Sequence, residues 1–168
     1  MADDSINHSR RGFLRGQFKS ATPPPLRPPW ALPEAEFLAR CTRCNNCAII
    51  CPTKIIVMQD GYPRINFAVA ACTFCGECVR VCTPAALRRD EGAAPWSIKA
   101  RVNEKCLAQR GVECRICGEH CEAEAIRFPP RLDAPPLPVI DAATCTGCGA
   151  CVAPCPSQAV TLAEGKLI

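Results

Sequence analysis

Apolar residues in this chain come in short alternating stretches rather than in long helical periods. Ile55-Ile56-Val57-Met58 runs into Asp60-Gly61, and Ile65 and Phe67 then alternate with polar neighbours, which predicts a β-hairpin turning at Asp60-Gly61. The C-terminal end repeats the pattern: Ala159-Val160-Thr161-Leu162, then Glu164-Gly165, then Leu167-Ile168 predict another hairpin. Ala125-Ile126-Arg127-Phe128 and Pro138-Val139-Ile140 predict strands on either side of a proline-rich connection. Short helical turns are expected at such places as Pro84-Ala85-Ala86-Leu87. The fold class this implies is α+β, built from small hairpins and single-turn helices.

Composition shows what such small elements pack around. The 168 residues include two Trp, one Tyr and six Phe, few for a chain that must bury an ordinary core. Sixteen residues are Cys, about 9.5% and several times average usage. They form four groups of four. Cys41, Cys44, Cys47 and Cys51 spell C-x2-C-x2-C-x3-C before Pro52; Cys72, Cys75, Cys78 and Cys82 repeat the spacing, as do Cys145, Cys148, Cys151 and Cys155 before Pro156. The remaining group, Cys106, Cys114, Cys117 and Cys121, has seven residues between its first two members, and Glu122 stands where proline would.

This spacing is the bacterial ferredoxin run that holds a cubane 4Fe-4S cluster through four thiolates. Three thiolates two residues apart can wrap one cube in a tight loop whose amides point at the sulfurs, and the fourth lies a turn further on. Zinc sites favour two C-x2-C pairs separated by a longer spacer, which these continuous runs do not match. Disulfides are disfavoured by the crowding of the cysteines and by the lack of an export signal. Rieske-type ligation needs two histidines per cluster; the chain has only His8 and His120, and His120 is expected to face solvent. The chemistry expected is therefore three to four 4Fe-4S clusters with all sixteen cysteines as iron ligands, the long-gapped group being the least regular. No glycine-rich cofactor loop or separate acid-base pair indicates an enzyme.

The groups begin at Cys41, Cys72, Cys106 and Cys145, so the repeat suggests tandem ferredoxin-like units over 34–97 and 98–168. In two-cluster ferredoxins the fourth cysteine of each run ligates the other cluster. Two pairings are open. Neighbouring runs can exchange their fourth cysteines, or the first run can pair with the last and the second with the third; the neighbour arrangement is preferred.

Residues 1–33 read as a flexible basic and proline-rich arm: Arg10, Arg11, Arg15, Lys19 and Arg27 carry charge of one sign. Arg10-Arg11-Gly12-Phe13-Leu14 has the look of a twin-arginine export motif, but no apolar stretch follows it. Arg10, Arg11, Phe13, Leu14 and Arg15, with Phe18 as a further apolar anchor, form a candidate docking segment for an acidic partner. Residues 142–163 lack charge, but two prolines, two glycines and four cysteines argue against a membrane span. Net charge is +4 with thiols neutral, too little for a nucleic-acid footprint. Four oxidised clusters would bring it to about −4, an anionic body with a cationic arm.

Ser9-Arg10-Arg11-Gly12, Arg27-Pro28-Pro29-Trp30, Cys41-Thr42-Arg43-Cys44, Gly61-Tyr62-Pro63, Cys106-Leu107-Ala108 and Cys145-Thr146-Gly147-Cys148-Gly149-Ala150-Cys151 together resemble the NapF family of ferredoxin-type proteins from periplasmic nitrate reductase systems. The resemblance includes the long-gapped run. It implies a cytoplasmic iron-sulfur accessory protein that assists maturation of the molybdenum-containing catalytic subunit NapA before export, by donating electrons or clusters. An electron-transfer polyferredoxin in a redox chain is the other reading. Anaerobically purified protein is expected to be brown, to absorb near about 400 nm, and to carry roughly 12 to 16 Fe per chain; colourless protein containing zinc would contradict the assignment.

Overall fold

The computed structural model describes residues 25–164. Arg10, Arg11, Phe13, Leu14, Arg15 and Phe18 of the candidate docking segment lie outside them, as do Leu167 and Ile168. Residues 25–33, assigned by sequence to the arm, are in fact packed. Trp30 is 6% exposed and Pro29 is fully buried. The Trp30 amide donates to the Pro95 carbonyl, and its indole N–H donates to the Ala93 carbonyl.

Helix α1, Glu34–Arg40, starts directly after Pro33, with Glu34 and Glu36 in its first turn and Arg40 in its last, so each charge opposes the dipole end beside it. It buries Phe37 completely and delivers the chain to Cys41. Arg27 clips the preceding segment to this helix and to the following hairpin. Its guanidinium binds both carboxylate oxygens of Glu34, donates to the Pro63 carbonyl, and lies 4.9 Å from the Phe37 ring centroid and 5.4 Å from that of Tyr62. The same guanidinium holds the Glu34 carboxyl below its ordinary pKa.

The expected first hairpin is present: β1, Ile56–Gln59, pairs antiparallel with β2, Tyr62–Ile65. Strands β4, Ile126–Arg127, and β5, Val139–Ile140, also pair antiparallel across the proline-rich connection. The short helices lie elsewhere than expected. Residues 84–87 form a turn and an isolated bridge, whereas α2 (Asn46–Ile50), α3 (Glu77–Arg80) and α4 (Ile116–Glu119) each carry the third cysteine of a run. In these runs one helical turn spans the residues between third and fourth cysteines, whereas the same spacing in the fourth run, Cys151 to Cys155, is met by turns.

The C-terminal strand β6, Val160–Glu164, pairs with β3, Ile98–Val102; the second arm of the hairpin expected at Glu164-Gly165 lies outside the described residues. Ile98, Ala100 and Val102 alternate with Lys99 and Arg101, a strand pattern whose partner is distant in sequence. The two halves therefore share one topology. In the second half a strand before the first cysteine pairs with one after the last; in the first half the Ala31–Leu87 bridge occupies the same place. In each half a hairpin separates the two runs.

The main core joins Phe37, Ile55, Ile56, Ile65, Phe67, Leu87 and Ile98 to Cys51 and Cys78. A second centres on Ala100, Ala125, Ile126 and Val160 with Cys145 and Cys151, and Val152 and Leu162 pack against both. Phe37→Ala is expected to destabilise the holoprotein by about 3 to 5 kcal/mol, read as a shift of the anaerobic denaturant midpoint; a shift below about 1 kcal/mol would show that the clusters alone hold this end.

Candidate iron-sulfur sites

The sixteen cysteines gather into four quartets, each combining three cysteines of one run with the fourth of its neighbour. One cavity is lined by Cys41, Cys44, Cys47 and Cys82, a second by Cys72, Cys75, Cys78 and Cys51, and another by Cys145, Cys148, Cys151 and Cys121. The long-gapped run supplies the remaining quartet: burial raises the Cys117 thiol, and Cys106, Cys114 and Cys155 stand close enough to add to that rise. We number these sites by the run that supplies three cysteines. The arrangement is the neighbour pairing.

The fold of the seven-residue gap between Cys106 and Cys114 explains how the third run still closes. Residues 108–110 make one 3-10 turn, and Gly111, at φ +82°, reverses the chain. The Val112 amide then donates to the Leu107 carbonyl. The insertion folds on itself, leaving Cys106 buried beside Ala108 and Ala159.

Backbone handedness shapes the loops. In the three regular runs the second and fourth residues after the first cysteine are left-handed: Arg43 and Asn45, Phe74 and Gly76, Gly147 and Gly149. After the fourth cysteine all four runs share one turn. The residue three places on, Lys54, Ala85, Glu124 or Gln158, is left-handed and donates its amide to the carbonyl of that cysteine. The turn aims following amides at sulfur: Leu87 N–H at Cys82 Sγ, Ala125 at Cys121 and Ala159 at Cys155, each at 3.3 Å. Sequence reasoning missed these donors, because nothing in Lys54, Ala85, Glu124 and Gln158 as residue types announces a left-handed turn.

Burial pushes the Cys47, Cys72 and Cys117 thiols up to about 11 and Cys78 and Cys151 up to about 12. At Cys51 and Cys155 burial also pushes upward, but hydrogen bonds outweigh it and leave both below the ordinary thiol value. At Cys51 these come from the Thr53 hydroxyl and the amides of Thr53, Ile55 and Ile56; at Cys155 from the Ala159 amide, the Ser157 hydroxyl and the Val160 and Ser157 amides. Among the described residues no three His, Cys, Asp or Glu side chains converge on a point that would hold one metal ion. Thiols spaced around a cavity, with amides turned toward them, fit a multi-atom cluster better than a lone zinc. His120 is exposed, its Nδ1 3.0 Å from the Ile116 carbonyl, and it lines the fourth-site cavity beside Cys121. Among the described residues no helix is long and apolar enough to cross a membrane.

The family model for the 4Fe-4S dicluster domain matches residues 40–92, which hold the first two runs, and again 110–159, which hold the last two except Cys106. The ferredoxin-type protein NapF of Escherichia coli K12 is 40% identical over 93% of this chain and 94% of its own length. NapF of Haemophilus influenzae is 40% identical over 95% and 96%. The methylamine utilization ferredoxin-type protein MauM of Paracoccus denitrificans is 34% identical over 77% of this chain and 66% of its own. Two dicluster matches and near full-length similarity agree with the paired quartets in the structure: the chain belongs to the NapF family of ferredoxin-type proteins.

Proposed function

We propose that this chain is a cytoplasmic iron-sulfur accessory protein that binds the immature catalytic subunit NapA of periplasmic nitrate reductase and supports its maturation by supplying electrons or clusters. The observation that carries the reading is four thiol quartets in a chain whose relatives over nearly its full length are NapF proteins. In this reading all sixteen cysteines are ligands and the fourth cysteines cross between neighbouring runs. A bound 4Fe-4S cluster supplies reversible one-electron transfer.

The chain's own residues set the conditions for that chemistry. Amides from Leu87, Ala125 and Ala159, and the Thr53 and Ser157 hydroxyls, donate toward cysteine sulfur and stabilise its negative charge. Phe37, Ile55 and Leu87 shield the first two sites from water, while Cys44 and Cys75 are exposed. A constitutive electron-transfer role is favoured by one observation, the direct backbone contact between Cys72 and Cys148 that joins the two halves.

Crossed ligation predicts an asymmetry in paired variants. Cys44→Ala with Cys82→Ala removes two ligands from one site and is expected to cost about 4 Fe, whereas Cys44→Ala with Cys51→Ala damages two sites and costs up to about 8; the reverse order in iron analysis would show that each run ligates its own cluster. For the role, pull-downs are expected to recover the catalytic subunit when export is blocked and much less of it once its own cluster is in place. Equal recovery of mature enzyme would favour the constitutive carrier. Deleting residues 1–24, which stops short of the buried Pro28–Trp30 segment, is expected to leave iron content unchanged and weaken this complex at least about tenfold; unchanged binding would remove the arm from the interface.

A further inference from the structure

The spatial order of the sites differs from their order in the chain. In the first half Cys78 of the second site lies within electrostatic reach of Cys47 of the first, and in the second half Cys151 of the fourth site stands in the same relation to Cys117 of the third. Between the halves it is the second and fourth sites that meet. The Cys72 amide donates to the Cys148 carbonyl at 2.8 Å, linking the first ligand of one site directly to the second ligand of the other.

Aromatic packing holds this junction. The Trp96 indole N–H donates to the Thr146 carbonyl at 3.2 Å, within the fourth run. Its ring meets Phe74, from the second run, at 5.8 Å and 71°, and Phe67 at 5.9 Å and 83°. Gly149 rests against Phe67 so closely that a β-carbon there would overlap the ring. A β-carbon on Gly147 would collide with the Ile98 carbonyl and the Trp96 indole. Both glycines are left-handed, so replacing either is disfavoured by conformation as well as by space. Lys99 adds a clamp from β3, its ammonium donating to the Cys145 carbonyl.

We infer that the clusters lie in the order first, second, fourth, third, and that electrons pass between the two halves across the Cys72–Cys148 contact, with Trp96, Gly147 and Gly149 as its positioning residues. The inference rests on the quartets holding clusters. In the transfer one electron leaves the reduced cluster of the second or fourth site and enters the oxidised cluster of the other; no bond is made or broken and no proton is required. The first and third sites are then the ends of the path, where an external one-electron donor and acceptor would exchange.

The test uses the full reconstituted chain, reduced anaerobically and read by electron paramagnetic resonance. A background carrying Cys44→Ala and Cys82→Ala leaves the second site as the only cluster of the first half. Adding Cys145→Ala and Cys148→Ala, which removes the fourth site, is expected to abolish the magnetic interaction seen on the second-site signal; adding Cys106→Ala and Cys114→Ala, which removes the third, is expected to leave it. The opposite pattern, or indifference to both, overturns the order. Trp96→Ala, with every ligand intact, provides a separate check. It is expected to keep full iron, to lose the interaction between halves, and to speed hydrogen exchange at the Cys72 amide at least tenfold, with Trp96→Phe in between. Unchanged exchange, or loss of iron from Trp96→Ala, counts against the junction. Wild-type protein with full iron and no interaction between halves sinks the order alone, whereas wild-type protein without iron sinks the cluster reading beneath it.

Discussion

Burying thiols in groups of four is the constraint from which this structure follows. An interior with few aromatic side chains and no buried charged residue among the described ones gives its central space to cysteine sulfur. Burial raises five of these thiols to about 11 or 12, so a thiolate at these positions needs a positive partner, which bound iron supplies. Ligation is therefore coupled to folding. Each short helix and hairpin is too small to bury a face alone, and each becomes worthwhile when it positions a ligand or covers a quartet.

The same reasoning explains the repeated turn after each fourth cysteine. A left-handed residue costs about 1 kcal/mol where it is not glycine, yet it recurs at Lys54, Ala85, Glu124 and Gln158. What offsets the strain is an amide aimed at a sulfur that becomes anionic on ligation, a hydrogen bond stronger than one between neutral groups. The third run shows how far the plan tolerates change. Its insertion closes on itself through Gly111 and returns Cys114 to the quartet, while the turn after Cys121 is kept. The closing turn is common to all four runs; the left-handed pair inside the loop belongs only to the three regular ones.

Cysteine spacing made the ligands and their chemistry legible, because three residues per step around one cube leave little freedom. The hairpin at Asp60-Gly61 was equally plain, since turn and alternation agree locally. Long-range choices were not. Strand β3 carries a clear alternation at Ile98, Ala100 and Val102, but its partner β6 is about sixty residues away, a pairing that no local pattern announces. Helix α1 had visible signals in Pro33, Glu34, Glu36 and Arg40, yet the proline-rich composition before it drew residues 25–33 into the arm. Their burial depends on Arg27 and Trp30 meeting partners from Glu34 to Pro95, which no local pattern reports. The pairing of runs, too, is a property of tertiary structure, since spacing alone permits both arrangements.

The claim that iron holds the fold is tested most directly by hydrogen exchange on the same chain with its clusters removed and then rebuilt. The account predicts that removal exposes the amides of Leu87, Ala125 and Ala159, which point at cysteine sulfur, together with those of the β3–β6 pair, and that reconstitution with iron and sulfide restores their protection. Protection that persists in the iron-free chain would contradict it, and would show a protein core able to stand without the metal.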